Sequence, residues 1–93
     1  LDMNTEGQNI LSFSIYPNPN DGVFNADVRL NTLQDVLFSV YDIQGNLIRR
    51  FEKSNQDFYS ENISFTSFER RSGLYLIRVE TKNESKTLRF TVR

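Results

Sequence analysis

The groups in this chain that could do chemistry are carboxylates, lysines, arginines and tyrosines, because its 93 residues include neither histidine nor cysteine. Those two absences remove Ser-His-Asp and Cys-His nucleophilic sites, imidazole and thiolate zinc sites, and the side chain that shuttles protons near neutral pH. They also remove disulfides, so pairing carries no information about redox compartment. Two carboxylate chemistries stay open on residue type alone. A glycoside hydrolase needs two facing carboxylates about 5–10 Å apart, and nothing in the placement of the 12 acidic residues marks such a pair. Asn18, Asn20 and Asp21 crowd three oxygen-bearing side chains together. Gly22, however, falls where a calcium loop wants a ligand, and no glutamate closes the loop. The chain is expected to hold no metal and no cofactor, and not to be an enzyme.

What remains is a chain built from short alternating segments and strong turn signals. Its 11 basic and 12 acidic residues leave a net charge of −1, so no global field draws it to nucleic acid or to an anionic membrane. No apolar run approaches the ~18 residues that read as a membrane span. Leu1 is not an initiator methionine and no basic-then-apolar leader follows it. The expectation is a processed product, or a piece of a longer protein. The length suits one domain, close to the ~100 residues of an immunoglobulin-like sandwich.

The turn signals concentrate in Tyr16-Pro17-Asn18-Pro19-Asn20-Asp21-Gly22. A residue before proline is pushed towards extended backbone, so Tyr16 and Asn18 should be extended. Pro19 suits the second position of a type I turn opened by Asn18, and Gly22 can take a positive φ after it. Leu1 to Ser12, ahead of this stretch, is polar and aperiodic and reads as linker, with the domain proper over 13–93. Phe13 to Tyr16 reads as a first strand. Val23 to Leu30 alternates, with Phe24, Ala26, Val28 and Leu30 on one side, and Asn31, Thr32, Gln34 and Asp35 close it. Val36 to Ile43 follows, then a turn over Asp42 to Asn46 with Gly45 at positive φ, then Leu47 to Phe51. Glu52 to Asp57 reads as a polar loop and Glu61 to Phe65 as a strand. Phe68 is expected to plug the core from a turn ending at Gly73. Leu74 to Thr81 and Lys86 to Arg93 are the last two strands, joined by a hairpin loop over Lys82 to Ser85. The expectation is an all-β, seven-stranded antiparallel immunoglobulin-like β-sandwich, with Phe24, Val28, Phe38, Val40, Tyr75, Ile77, Leu88 and Phe90 in its core.

Three stretches form an ordered set: Tyr16-Pro17-Asn18-Pro19 with Gly22, Val40-Tyr41-Asp42 with Gly45, and Ser72-Gly73-Leu74-Tyr75 with Ile77-Arg78-Val79. Lys86 and a β-rich end complete it. This set resembles the C-terminal sorting domain of the type IX (Por) secretion system of Bacteroidetes, over about Phe13 to Arg93. The resemblance implies an immunoglobulin-like domain that addresses an upstream cargo, on the same chain, to an outer-membrane translocon. It also implies removal by a sortase-like cysteine peptidase, within the linker at Leu1 to Ser12. The cargo would then be secreted or held at the cell surface, after passage through periplasm and outer membrane. The family's motif positions map onto Pro17, Asn18, Pro19, Gly22, Asp42, Gly45, Gly73, Tyr75 and Lys86.

From the residues themselves, the prolines and glycines read first as setters of backbone angle. Asp42 reads as a turn-bonding side chain and Tyr75 as core. Lys86, Arg89 and Arg93 are the candidates for contact, being basic and on a terminal strand whose free edge can accept a partner strand. The competing function is a cell-surface β-sandwich module for adhesion or carbohydrate binding.

Overall fold

A computed structural model describes residues 9–93 of the chain. Five strands make up the fold: β1 (Ile10–Tyr16), β2 (Val23–Asp42), β3 (Leu47–Ser64), β4 (Gly73–Glu80) and β5 (Ser85–Val92). All pairings are antiparallel, and no helix occurs among the described residues. β2 and β3 form one long hairpin, with β3 along one edge of β2 from Val23↔Ser64 to Tyr41↔Leu47. The other edge of β2 is shared. β1 takes its first part, up to Ile10↔Leu30, and β4 takes its last part, from Leu37↔Glu80 to Asp42↔Tyr75. β5 pairs with β4 from Gly73↔Val92 to Glu80↔Ser85.

The hairpin cannot be straight. Phe24 and Asp42 are 42 − 24 = 18 residues apart, about 60 Å of extended strand, while the molecule's greatest extent is 47 Å. Instead the two halves face each other. Phe24, at the start of β2, lies 4.6 Å from Phe90 of β5, centroid to centroid. Phe90 is the register partner of Tyr75, and Tyr75 that of Asp42. Phe65 fills the same junction, 5.8 Å from Phe24 and 5.2 Å from Tyr75.

Five strands stand where seven were expected, because two expected breaks are bends in continuous strands. The polar residues of Asn31 to Asp35 and Glu52 to Asp57 lie opposite each other, and the register slips between Arg29 and Gln34 and again before Val36. There the Tyr59 hydroxyl donates to the Gln34 carbonyl at 2.6 Å and accepts from the Gln56 N–H at 3.1 Å. Asp35 accepts from the Asn55 N–H at 3.1 Å, and Asn55 is at positive φ. Side chains read as turn formers thus satisfy the backbone of an irregular ladder, as at a bulge. β1 also begins earlier than expected, so residues 10–12 of the stretch read as linker are strand. The first eight residues of that stretch lie outside the described residues.

The alternation in β2 survives the bend. Phe24, Ala26, Val28, Leu30, Val36, Phe38 and Val40 are all buried. They meet Tyr59, Ile63, Phe65, Tyr75, Ile77, Val79, Phe90 and Val92 in one core. Two expectations for this core need correction. Leu88 is only partly buried against it, and Phe68 is 87% exposed. Phe65 fills the core position expected of Phe68, since it follows the last residue of β3 directly and keeps that strand's inward parity.

Candidate functional site

The Pro17–Gly22 segment is organised by Asn20, which is 2% exposed. The expected type I turn with Pro19 in second place is not what forms: among the described residues no Asp21 N–H bonds the Asn18 carbonyl, and Asn20 lies in a β-bridge with Val92. Both X–Pro peptide bonds, Tyr16-Pro17 and Asn18-Pro19, are cis. The Asn20 amide nitrogen donates to the Pro17 carbonyl at 3.1 Å, and its Oδ1 accepts from the Gly22 N–H at 2.8 Å. The Asn20 main chain pairs in parallel with the end of β5. Its N–H donates to the Thr91 carbonyl at 3.0 Å and its carbonyl accepts from the Arg93 N–H at 2.8 Å. Asn18 Oδ1 accepts from the Thr91 N–H at 3.0 Å, and the Gly22 carbonyl accepts from the Phe65 N–H at 2.7 Å. The segment therefore ties the start of β2 to the end of β5 and to the β3 exit. The oxygens of Asn18 and Asn20 that would suit a cation are aimed at backbone N–H groups. Gly22 sits at φ 103°, where a Cβ would also come within 2.9 Å of the Arg70 side chain.

Asp42 closes a local turn. Its Oδ1 accepts from the Gln44 and Asn46 N–H groups at 3.0 and 2.9 Å, and its Oδ2 from the Asn46 amide at 3.0 Å. Those bonds, the Asn46 side chain first, hold the Asp42 carboxyl below its ordinary value. Gly45, at φ 93°, donates its N–H to the Asp42 carbonyl.

Gly73 opens β4 opposite Val92. Tyr75 is core, and its hydroxyl donates outward to the Arg71 carbonyl at 2.8 Å. The loop it holds is also clamped by Glu69, which accepts from the Thr66 N–H at 2.8 Å and pairs with Arg49. Burial raises the Glu69 carboxyl, but the Thr66 N–H and Arg49 outweigh it and the net shift is downward.

The three basic candidates do not share a face. Lys86 lies opposite Val79, on the core-side parity at the margin of the sheet, while Arg89 lies opposite Leu76 on the outer face. Arg93 follows the last strand residue, its N–H tied to Asn20. Nor is the β5 edge fully open, since Thr91 and Arg93 already bond the Pro17–Gly22 segment. By antiparallel alternation the N–H and C=O groups of Thr87 and Arg89 face the same side as those of Thr91. They form the part of that edge left open among the described residues. Asn20, the hub of the motif, was not singled out as a motif position. Its signal was present in the sequence, an asparagine between Pro19 and Asp21, but the partners of its main chain, Thr91 and Arg93, are some 70 residues away.

A family model described as a secretion system C-terminal sorting domain matches residues 14–93 of the chain. Among solved structures, the chain is similar to PorZ, described as an essential bacterial surface component of the type-IX secretion system of human oral-microbiomic Porphyromonas gingivalis. The TM-score is 0.61 at 24% identity, over 88% of this chain and 11% of that one. A comparison with curated proteins gives no match.

Proposed function

The chain belongs to the family of secretion-system C-terminal sorting domains, and we propose from that a detailed course for its action as a type IX sorting signal. The family is a cargo signal rather than a catalyst, and its cargo crosses the outer membrane to the cell surface or beyond. Our finer reading is that the domain is an immunoglobulin-like sandwich whose two layers are the facing halves of the bent hairpin. It follows a cargo on the same chain, docks on a component of the translocon, and is removed by a sortase-like peptidase that cuts ahead of β1. The Asn9 and Ile10 N–H groups both donate to the Glu84 carboxylate, at 2.8 and 2.9 Å. Ordered contacts with the body of the domain thus reach back to Asn9, and a cut before that point leaves them intact.

The observation that carries this reading is the joining of Pro17–Gly22 to the end of β5. A motif near the start of the domain and the terminal strand make one structural unit, which suits a signal read only in folded form. The test is a reporter fused ahead of this chain in a type IX-competent bacterium. Export that disappears when the translocon is disabled is the expected result, with the reporter recovered free of the domain. Export that persists without the translocon overturns the reading, and an exported fusion that keeps the domain overturns the cleavage.

A further inference from the structure

The outer faces of the two halves differ in how their polar groups are satisfied. On the face of β1, early β2 and late β3, the side chains bond one another. Tyr16 and Ser60 donate to Asp27 at 3.0 and 2.7 Å, and Asn62 donates to Asn25 at 3.1 Å. On the face of early β3, late β2, β4 and β5, register places Arg50, Ser39 and Arg78 in one cross-strand row. The next row holds Leu47, Tyr41, Leu76 and Arg89. On the other side lies a row of Glu52, Leu37 and Glu80.

Ser39 is fully buried, covered between the two arginines of its row, whose Cα atoms are about 10 Å apart, two strand spacings. Arg50 Nε reaches the Ser39 hydroxyl only at 3.4 Å. Arg78 Nε is shielded from solvent and has no hydrogen-bond partner among the described residues. Its terminal nitrogen meets Glu80 loosely, at 3.6 Å. Arg50 and Arg89 are exposed, and among the described residues neither has a carboxylate within ion-pair reach. In a chain of net charge −1, this is a local excess of guanidinium beside an apolar shelf.

We infer that this face docks a protein segment of the export machinery carrying an acidic side chain next to apolar ones. The carboxylate sits between Arg50 and Arg78 over Ser39, and the apolar residues lie on Tyr41, Leu47 and Leu76. Guanidinium favours carboxylate through paired N–H donors in a fixed fork. A polyanionic glycan or lipid surface fits less well. The Glu52 and Glu80 row is one side-chain repeat away, about 7 Å along the strands, and repels a charge that continues past the arginines.

The inference rests on the sorting function, and its test separates the two. The reporter fusion is compared with Arg50→Glu/Arg89→Glu, with Arg50→Lys/Arg89→Lys, and with Arg29→Glu on the opposite face, each checked by thermal melt. Export should fall about 10-fold or more in the double Glu variant, the size of a lost interfacial charge contact. Arg29→Glu should leave it unchanged, and the Lys pair should hold most of it. In parallel, a photo-crosslinking residue at Thr87 should join the domain to a segment containing Asp or Glu among apolar residues. That adduct should vanish in the double Glu variant. Full export from a folded double Glu variant overturns the inference while leaving the sorting function in place. So does an adduct to polysaccharide or lipid. A wild-type fusion that is not exported overturns the sorting reading, and the inference with it.

Discussion

Two turns in this small domain are built from nearly the same residue types and are held in opposite ways. The Asp42–Asn46 turn is closed by its own side chain, and every partner of the Asp42 carboxylate lies within four residues. The Pro17–Gly22 segment is held partly by Asn20 and partly by backbone groups of Thr91 and Arg93. A turn closed locally contributes to the hairpin it serves and little else. A turn closed across the chain transmits its loss to the core and to the terminal strand, so the same Asn or Asp chemistry carries very different weight in the two places.

The largest expected effect comes from opening the junction where the two halves of the long hairpin meet. Phe90→Ala deletes a ring in contact with Phe24, Phe65 and Tyr75. The transfer and cavity terms together should cost about 3–5 kcal/mol, enough to threaten a domain whose total is of order 5–10 kcal/mol. Chemical denaturation should place its midpoint far below that of the parent. A variant that melts like the parent would show that Phe90 does not join the two halves.

Asn20→Ala tests the turn itself. It leaves the Gly22 N–H without its acceptor in a buried place, at a cost of about 1–3 kcal/mol, or roughly 5–20 °C in Tm for a domain of this size. Hydrogen exchange should speed up at Arg93 as well as Gly22, because the segment's hold on β5 loosens. Loss of protection confined to Gly22 would mean that the segment and the terminal strand are independent.

At the local turn, Gly45→Val puts a β-branched residue at φ 93° with open space around its Cβ. The penalty is one of backbone alone, about 1–2 kcal/mol, and exchange at Thr91 and Arg93 should not change. Altered protection there would mean the two turns are coupled after all.

The smallest effect expected is acid dependence. Asp42 and Glu69 both titrate below their ordinary values in the folded protein. The unfolded chain therefore takes up their protons first as pH falls. The stability they confer is complete above the ordinary carboxylate range, near 4 to 4.5, and is lost as pH drops through their lower folded values. Asp42→Asn and Glu69→Gln should each flatten that slope. Urea midpoints measured between pH 7 and 2 check both.

The local chemistry of this chain was legible from the residues. Period-two alternation set the inward face of β2 from Phe24 to Val40, because a pleated strand sends successive side chains to opposite sides whatever its partners are. Asp42 and Gly45 announced their turn, since a carboxylate two to four residues before an N–H and a glycine at positive φ need nothing from elsewhere. The family resemblance was likewise carried by short motifs in order. Only the tertiary structure decided whether Asn31 to Asp35 ends a strand or bends one. Polar residues serve either purpose, and Tyr59 and Asn55 of the opposite strand supply the bonds that make it a bend. It likewise decided which aromatic plugs the core, Phe65 or Phe68, because that depends on where β3 ends. The weight of Asn20 belongs with these, because its backbone contacts are made across about 70 residues of chain. The parting of Lys86 from Arg89 onto opposite sides of the sheet does not, since their odd spacing in one strand already requires it.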